Sequence, residues 1–98
     1  MYATLRRVKI HPGAAAEISR RVEEAFVPLV SKLTGFVAFY LVDQGESMAT
    51  FSVFADQAGA EQANLQAAAW VRENLAELIA SPLELGLGEV TIHKTTDA

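Results

Sequence analysis

Two stretches with helical periodicity, Ala14 to Leu33 and Gln57 to Ala80, are each bracketed by segments with strand periodicity. This alternation restricts the fold more than any other feature of the chain. The first strand spans Tyr2 to Ile10. It places Tyr2, Thr4, Arg6, Val8 and Ile10 on one face and Ala3, Leu5, Arg7 and Lys9 on the other. His11-Pro12-Gly13 makes a turn. In the first helix the core stripe is Ile18, Val22, Ala25, Leu29 and Leu33, with Phe26 beside it. Pro28 removes the bond to the Glu24 carbonyl and predicts a kink, at a cost of about 3 kcal/mol if nothing compensates. Gly35 suits a left-handed cap.

The second strand, Phe36 to Val42, is apolar on both faces. Asp43-Gln44-Gly45-Glu46 turns the chain into a third strand, Met48 to Ala55, and the two form a hairpin. One face of that third strand carries Ala49, Phe51 and Val53; the more polar one carries Thr50, Ser52 and Phe54. Asp56 caps the second helix, and Ser81-Pro82 stops it. Leu83 to Leu87 reads as an extended lead-in to a last strand, Glu89 to Lys94, with Thr95 to Ala98 a frayed tail.

The order β-α-β-β-α-β predicts one ferredoxin-like α+β domain over residues 1–98, with a four-stranded antiparallel sheet. Right-handed crossovers place both helices on one face of it. The other face is then bare, yet the second strand is apolar on both sides and Phe54 adds to the third. A second copy packed on that face, as a two-fold homodimer with a barrel-like core, is the expected cover.

Composition narrows the partners. A net charge of −4 with scattered Lys and Arg disfavours nucleic acid and anionic membranes. The absence of Cys excludes disulfides, thiolate metal sites and Cys nucleophiles. No stretch approaches membrane-spanning length, and a cytoplasmic protein is the expectation. No phosphate-binding, zinc-protease or nucleophile-elbow motif occurs.

The segments GFVAFYLVDQG at the second strand, ATFSVFADQAGAEQAN leading into the second helix, and WVREN within that helix resemble the antibiotic biosynthesis monooxygenase-like family. The likeness covers essentially the whole chain, through packing and turn signals. It implies a dimeric α+β barrel with a pocket between helices and sheet. It also implies oxidation of an apolar or aromatic compound by molecular oxygen, with neither metal nor flavin. Related barrels degrade haem, isomerise lactones or have no known activity. The second helix has no His, which argues against haem ligation. The family's pocket Asn and Trp correspond to Asn64 and Trp70, although six residues of helix separate the two onto different faces.

On a helical wheel Asn64 sits in the apolar stripe Ala60, Ala67, Val71, Leu75 and Leu78. It is either a structural amide, bonded to a strand hydroxyl such as Thr4, Thr50 or Ser52, or the catalytic residue that positions substrate or oxygen. Trp70 falls on the flank, where edge or interface packing is favoured over substrate stacking. Arg6 and Tyr40 are the other substrate-binding candidates. For Arg6 the competing expectation is an ion pair with Glu89 or another acid of the last strand; for Tyr40 it is a core position with the hydroxyl at the rim. His11 and His93 lie too far apart for a shared metal, and none is expected. No base is clearly placed in the pocket, which favours the alternative of a non-catalytic, small-molecule-binding or stress-related barrel.

Overall fold

The computed structural model describes residues 1–96. Strand β1 (Tyr2–Lys9) is followed by a helical layer made of α1 (Ala15–Arg21), a π-helical segment (Val22–Phe26) and α2 (Val27–Val30). Then come β2 (Phe36–Asp43), β3 (Ser47–Phe54), α3 (Gln57–Asn74) and β4 (Glu84–Glu89). The sheet has four strands in the order β2-β3-β1-β4, and every neighbouring pair is antiparallel. This is the ferredoxin-like α+β arrangement.

β1 alternates as its sequence requires: Thr4, Arg6 and Val8 are buried, while Leu5, Arg7 and Lys9 are exposed. The buried side faces one apolar core shared by both helical layers, including Ile18, Phe26, Val30, Phe54, Ala63 and Trp70. Pro28 is absorbed by the π segment just before it. There the Val27 N–H reaches back to the Val22 carbonyl, so the wider turn takes up the missing proline donor. The extra residue also moves the core stripe. Ile18, Val22, Phe26 and Val30 are buried, whereas Ala25 and Leu29 of the expected stripe are exposed. A π turn holds more than 3.6 residues, so a strict spacing of four stays in line.

The second helix starts as expected, with the Asp56 carboxylate accepting from the Gly59 N–H at 3.0 Å. It ends at Asn74, six residues before the sequence pattern does. Tertiary bonds capture the next residues: the Leu78 carbonyl accepts from His11, and the Ala80 N–H donates to Lys9. The chain is therefore already beside the end of β1 at Ala80. Glu84 pairs opposite Arg7, and Glu89 has reached Tyr2. The last strand is thus Glu84–Glu89, not Glu89 to Lys94, because no further β1 remains to pair with residues 91–94. Within 90–96 there is no strand, and Ile92 is 87% exposed. Thr95 and Thr96 are exposed; the rest of the expected frayed tail lies outside the described residues.

The helix-facing side of β3 is its more polar side. Phe54 is fully buried there, which corrects its assignment to the uncovered face. The bare face instead carries Leu5, Phe51, Tyr40 and Val42, placed together by the pairings Leu5 with Phe51 and Tyr40 with Phe51. Among the described residues, no helix is long and apolar enough to cross a membrane.

Candidate functional site

The reason β3 turns its hydroxyls inward is Arg6. β1 alternation carries this guanidinium under the helices, where the residue is 4% exposed. Its Nε donates to Thr50 Oγ1 at 2.8 Å and its Nη2 to Ser52 Oγ at 2.5 Å. Its Nη1 donates to Asn64 Oδ1 at 3.2 Å and to the Ala63 carbonyl at 3.4 Å. The cation also stands 5.6 Å from the centre of the Phe26 ring. Every acceptor is neutral. Among the described residues Arg6 has no ion pair, which corrects the expected bridge to Glu89 or another β4 acid. Register is the cause: Arg6 lies opposite Leu85, while Glu84 and Glu89 pair with Arg7 and Tyr2. Burial without a counter-charge holds the Arg6 guanidinium down at a pKa of about 10.

Asn64 is half-buried at the shoulder of α3, not at the centre of its inner face. That face is Gly59, Ala60, Ala63, Ala67 and Trp70, rotated toward the first helical layer from the expected stripe. Small side chains let α3 approach the sheet, and Trp70 packs at a tilt against Phe26 with ring centres 5.4 Å apart. From its shoulder Asn64 also donates through Nδ2 to the Gly86 carbonyl of β4 at 3.0 Å. It thereby ties β1, α3 and β4 together. Its partners are not the strand hydroxyls named from sequence. Thr50 and Ser52 serve Arg6, and the buried Thr4 Oγ1 has no partner among the described residues.

Beside Arg6 lies an apolar cavity of about 50 Å³ between the helices and the sheet. Its apolar wall includes Phe26, Leu41, Met48, Trp70 and Leu75, and Arg6 and Thr50 supply its polar end. Neither a carboxylate nor a His lines it. The structure thus brings Arg6 and Trp70 to one cavity, with Asn64 holding Arg6 from outside the wall. Trp70 is 9% exposed and belongs to the core, not to an edge or interface. Tyr40 is not in this cavity. Its register opposite Phe51 puts it on the bare face, 59% exposed, which corrects both its pocket assignment and its expected core position. Phe26 and Met48 were missed as wall residues. The signal for Phe26 was its four-residue spacing from Val22, and for Met48 its alternation with Thr50. His11 and His93 are both exposed, and the described residues hold no cluster of three or more His, Asp or Glu suited to a metal.

Comparison with solved structures adds the fold's relatives. A protein of unknown function from Nitrosomonas europaea is 29% identical, with a TM-score of 0.78, covering 99% of this chain and 95% of that one. SnoaB, a cofactor-independent oxygenase from Streptomyces nogalater, is 22% identical with a TM-score of 0.66, covering 99% and 97%. A monooxygenase from the ActVA-Orf6 gene of Streptomyces coelicolor, solved with nanaomycin D, is 11% identical with a TM-score of 0.72, covering 96% and 92%. The fold is that of the antibiotic biosynthesis monooxygenase-like proteins. No family model matches the sequence, and no curated protein matches it. In the monooxygenase-like fold of this chain, the cavity between helices and sheet has an apolar wall and one cationic end.

Proposed function

We propose that the protein is a cofactor-independent monooxygenase acting on a small apolar or aromatic compound in the helix–sheet cavity. The observation that carries this reading is the polar end, Arg6 and Thr50, of an otherwise apolar cavity, with Ser52 and Asn64 holding Arg6 from outside the wall. Likeness of fold to SnoaB and the ActVA-Orf6 monooxygenase supports it. The chemistry balances without an added reductant. Converting a substrate CH2 to a carbonyl releases four electrons, which reduce dioxygen so that one oxygen atom enters the product and the other leaves as water. Arg6 is the group suited to stabilise an oxyanion formed on the substrate, and Asn64 holds Arg6 in place.

A cavity of about 50 Å³ holds a few water molecules. An aromatic ring is larger than that space, so its entry requires the cavity wall to open. That size, together with the lack of a carboxylate or imidazole in the wall, favours the second reading, a non-catalytic barrel that binds a small molecule. Incubation with an anthrone under 18O2 separates the two. Label in the ketone product, at a rate lowered in Arg6→Met, supports the oxygenase. Label entering no faster than without protein supports the binder.

The reading includes a homodimer through the bare sheet face. Leu5, Phe51, Tyr40 and Val42 form an apolar patch there that a second copy would bury. Light scattering should give twice the chain mass for the native protein and the chain mass for Phe51→Asp. A monomeric native protein at micromolar concentration would overturn it.

A further inference from the structure

The Arg6 cluster is incomplete in two respects. A guanidinium has five N–H donors. Four are directed at Thr50, Ser52, Asn64 and Ala63, the last at a long 3.4 Å, which leaves one N–H of Nη2 uncommitted. More importantly, the charge itself is unanswered. The four ion pairs among the described residues join Arg20 or Arg21 to Glu17 and Glu24 of the first helical layer or to Glu77 in the turn after α3. In a protein with a net charge of −4, this buried cation forms no ion pair with any acid among the described residues. Buried charges are ordinarily paired, since an unpaired one is costly in a medium of low polarisability. Arg6 itself lines the cavity, with Thr50 the other polar residue of its wall, so a ligand seated there lies against the cation.

We infer that the cavity selects ligands that carry one anionic oxygen group on an apolar body, with that group held by Arg6. Carboxylates, enolates and phenolates share this chemistry. The inference rests on the cavity being the ligand site, as in the proposed function, but it does not require turnover. The apolar wall of Phe26, Leu41 and Trp70 takes the hydrocarbon, and neutral isosteres leave the cation unanswered. Thr50, Ser52 and Asn64 fix the guanidinium plane, so they are positioning residues.

Ligand-observed NMR titration tests this with two isosteric pairs, butyrate against butyramide and benzoate against benzamide. In the native protein at least one anion should bind about tenfold more tightly than its amide, the effect of one charge-assisted bond. Arg6→Met, of similar length and uncharged, should bring the pair within about twofold. Arg7→Met, on the opposite sheet face, should leave the preference intact. Equal binding of anion and amide, retention of the preference in Arg6→Met, or no binding of either pair overturns the inference. Anion preference without oxygen incorporation would sink the oxygenase reading alone. Oxygen incorporation without anion preference would sink only the anion site.

Discussion

Arg6 Nη1 stands 3.2 Å from Asn64 Oδ1, and this contact joins the central strand β1 to the shoulder of α3. Asn64 passes the connection on to the Gly86 carbonyl of the edge strand β4. One side chain thus orients a buried cation and closes the sheet edge at once.

Asn64→Leu should therefore do more than remove a polar atom. It leaves an Arg6 donor and the Gly86 carbonyl without their partner, and the expected loss of stability is about 1–3 kcal/mol. Urea unfolding measures it. A variant as stable as the native protein would mean that the amide contributes nothing to the fold.

The Arg6 cluster should cost stability. Replacing it as a unit, with Arg6→Met, Thr50→Val and Ser52→Ala, removes the cation together with the hydroxyls it would orphan. Substituting a buried ionic group by packed apolar residues commonly stabilises by about 1–4 kcal/mol. A rise in unfolding free energy with loss of anion preference is expected; a destabilised triple variant would show that the cluster supports the fold.

Gly59→Ala sets helix propensity against packing. Alanine favours the helix by about 1 kcal/mol. Its Cβ, however, would lie 2.6 Å from the Thr34 carbonyl oxygen and 2.8 Å from the Phe54 ring. Backbone must move, so the packing cost of about 1–3 kcal/mol outweighs the gain. A lowered thermal midpoint is the expected reading.

Acid should weaken the link between the helical layers. Hydrogen bonds from Arg20 and then Arg21 hold the Glu17 carboxyl at about 2, below the ordinary 4.5. Because the folded-state value is the lower one, its stabilisation is present above pH 4.5 and is lost as pH falls toward 2. Arg21 also donates to the Asn74 carbonyl at the end of α3 and pairs with Glu77. Glu17→Gln should flatten the acid limb of the stability curve, and the effect should shrink in high salt because these groups are exposed.

Local signals were legible wherever one residue decides a local geometry. Asp56 caps α3, Gly35 and Gly45 take positive φ, and β1 alternates in register with its pattern. The element order was enough for the fold class, because few topologies accommodate it. Which residues share a face with Arg6 was also readable, since a strand has only two sides.

What periodicity could not settle was which face turns inward and where a strand finds its partner. β3 offers an apolar and a more polar face, and the polar one is buried because Arg6 needs its hydroxyls. β4 begins at Glu84 because Ala80 is already bonded to Lys9. α3 is rotated so that Trp70 meets Phe26, and this leaves Asn64 at the shoulder and Leu65 68% exposed. Local rules specify spacing along a chain, so the sequence by itself determined the elements and their order. Faces, register and the unanswered charge of Arg6 depend on contacts between residues far apart in sequence, which exist only once the sheet and helices have packed.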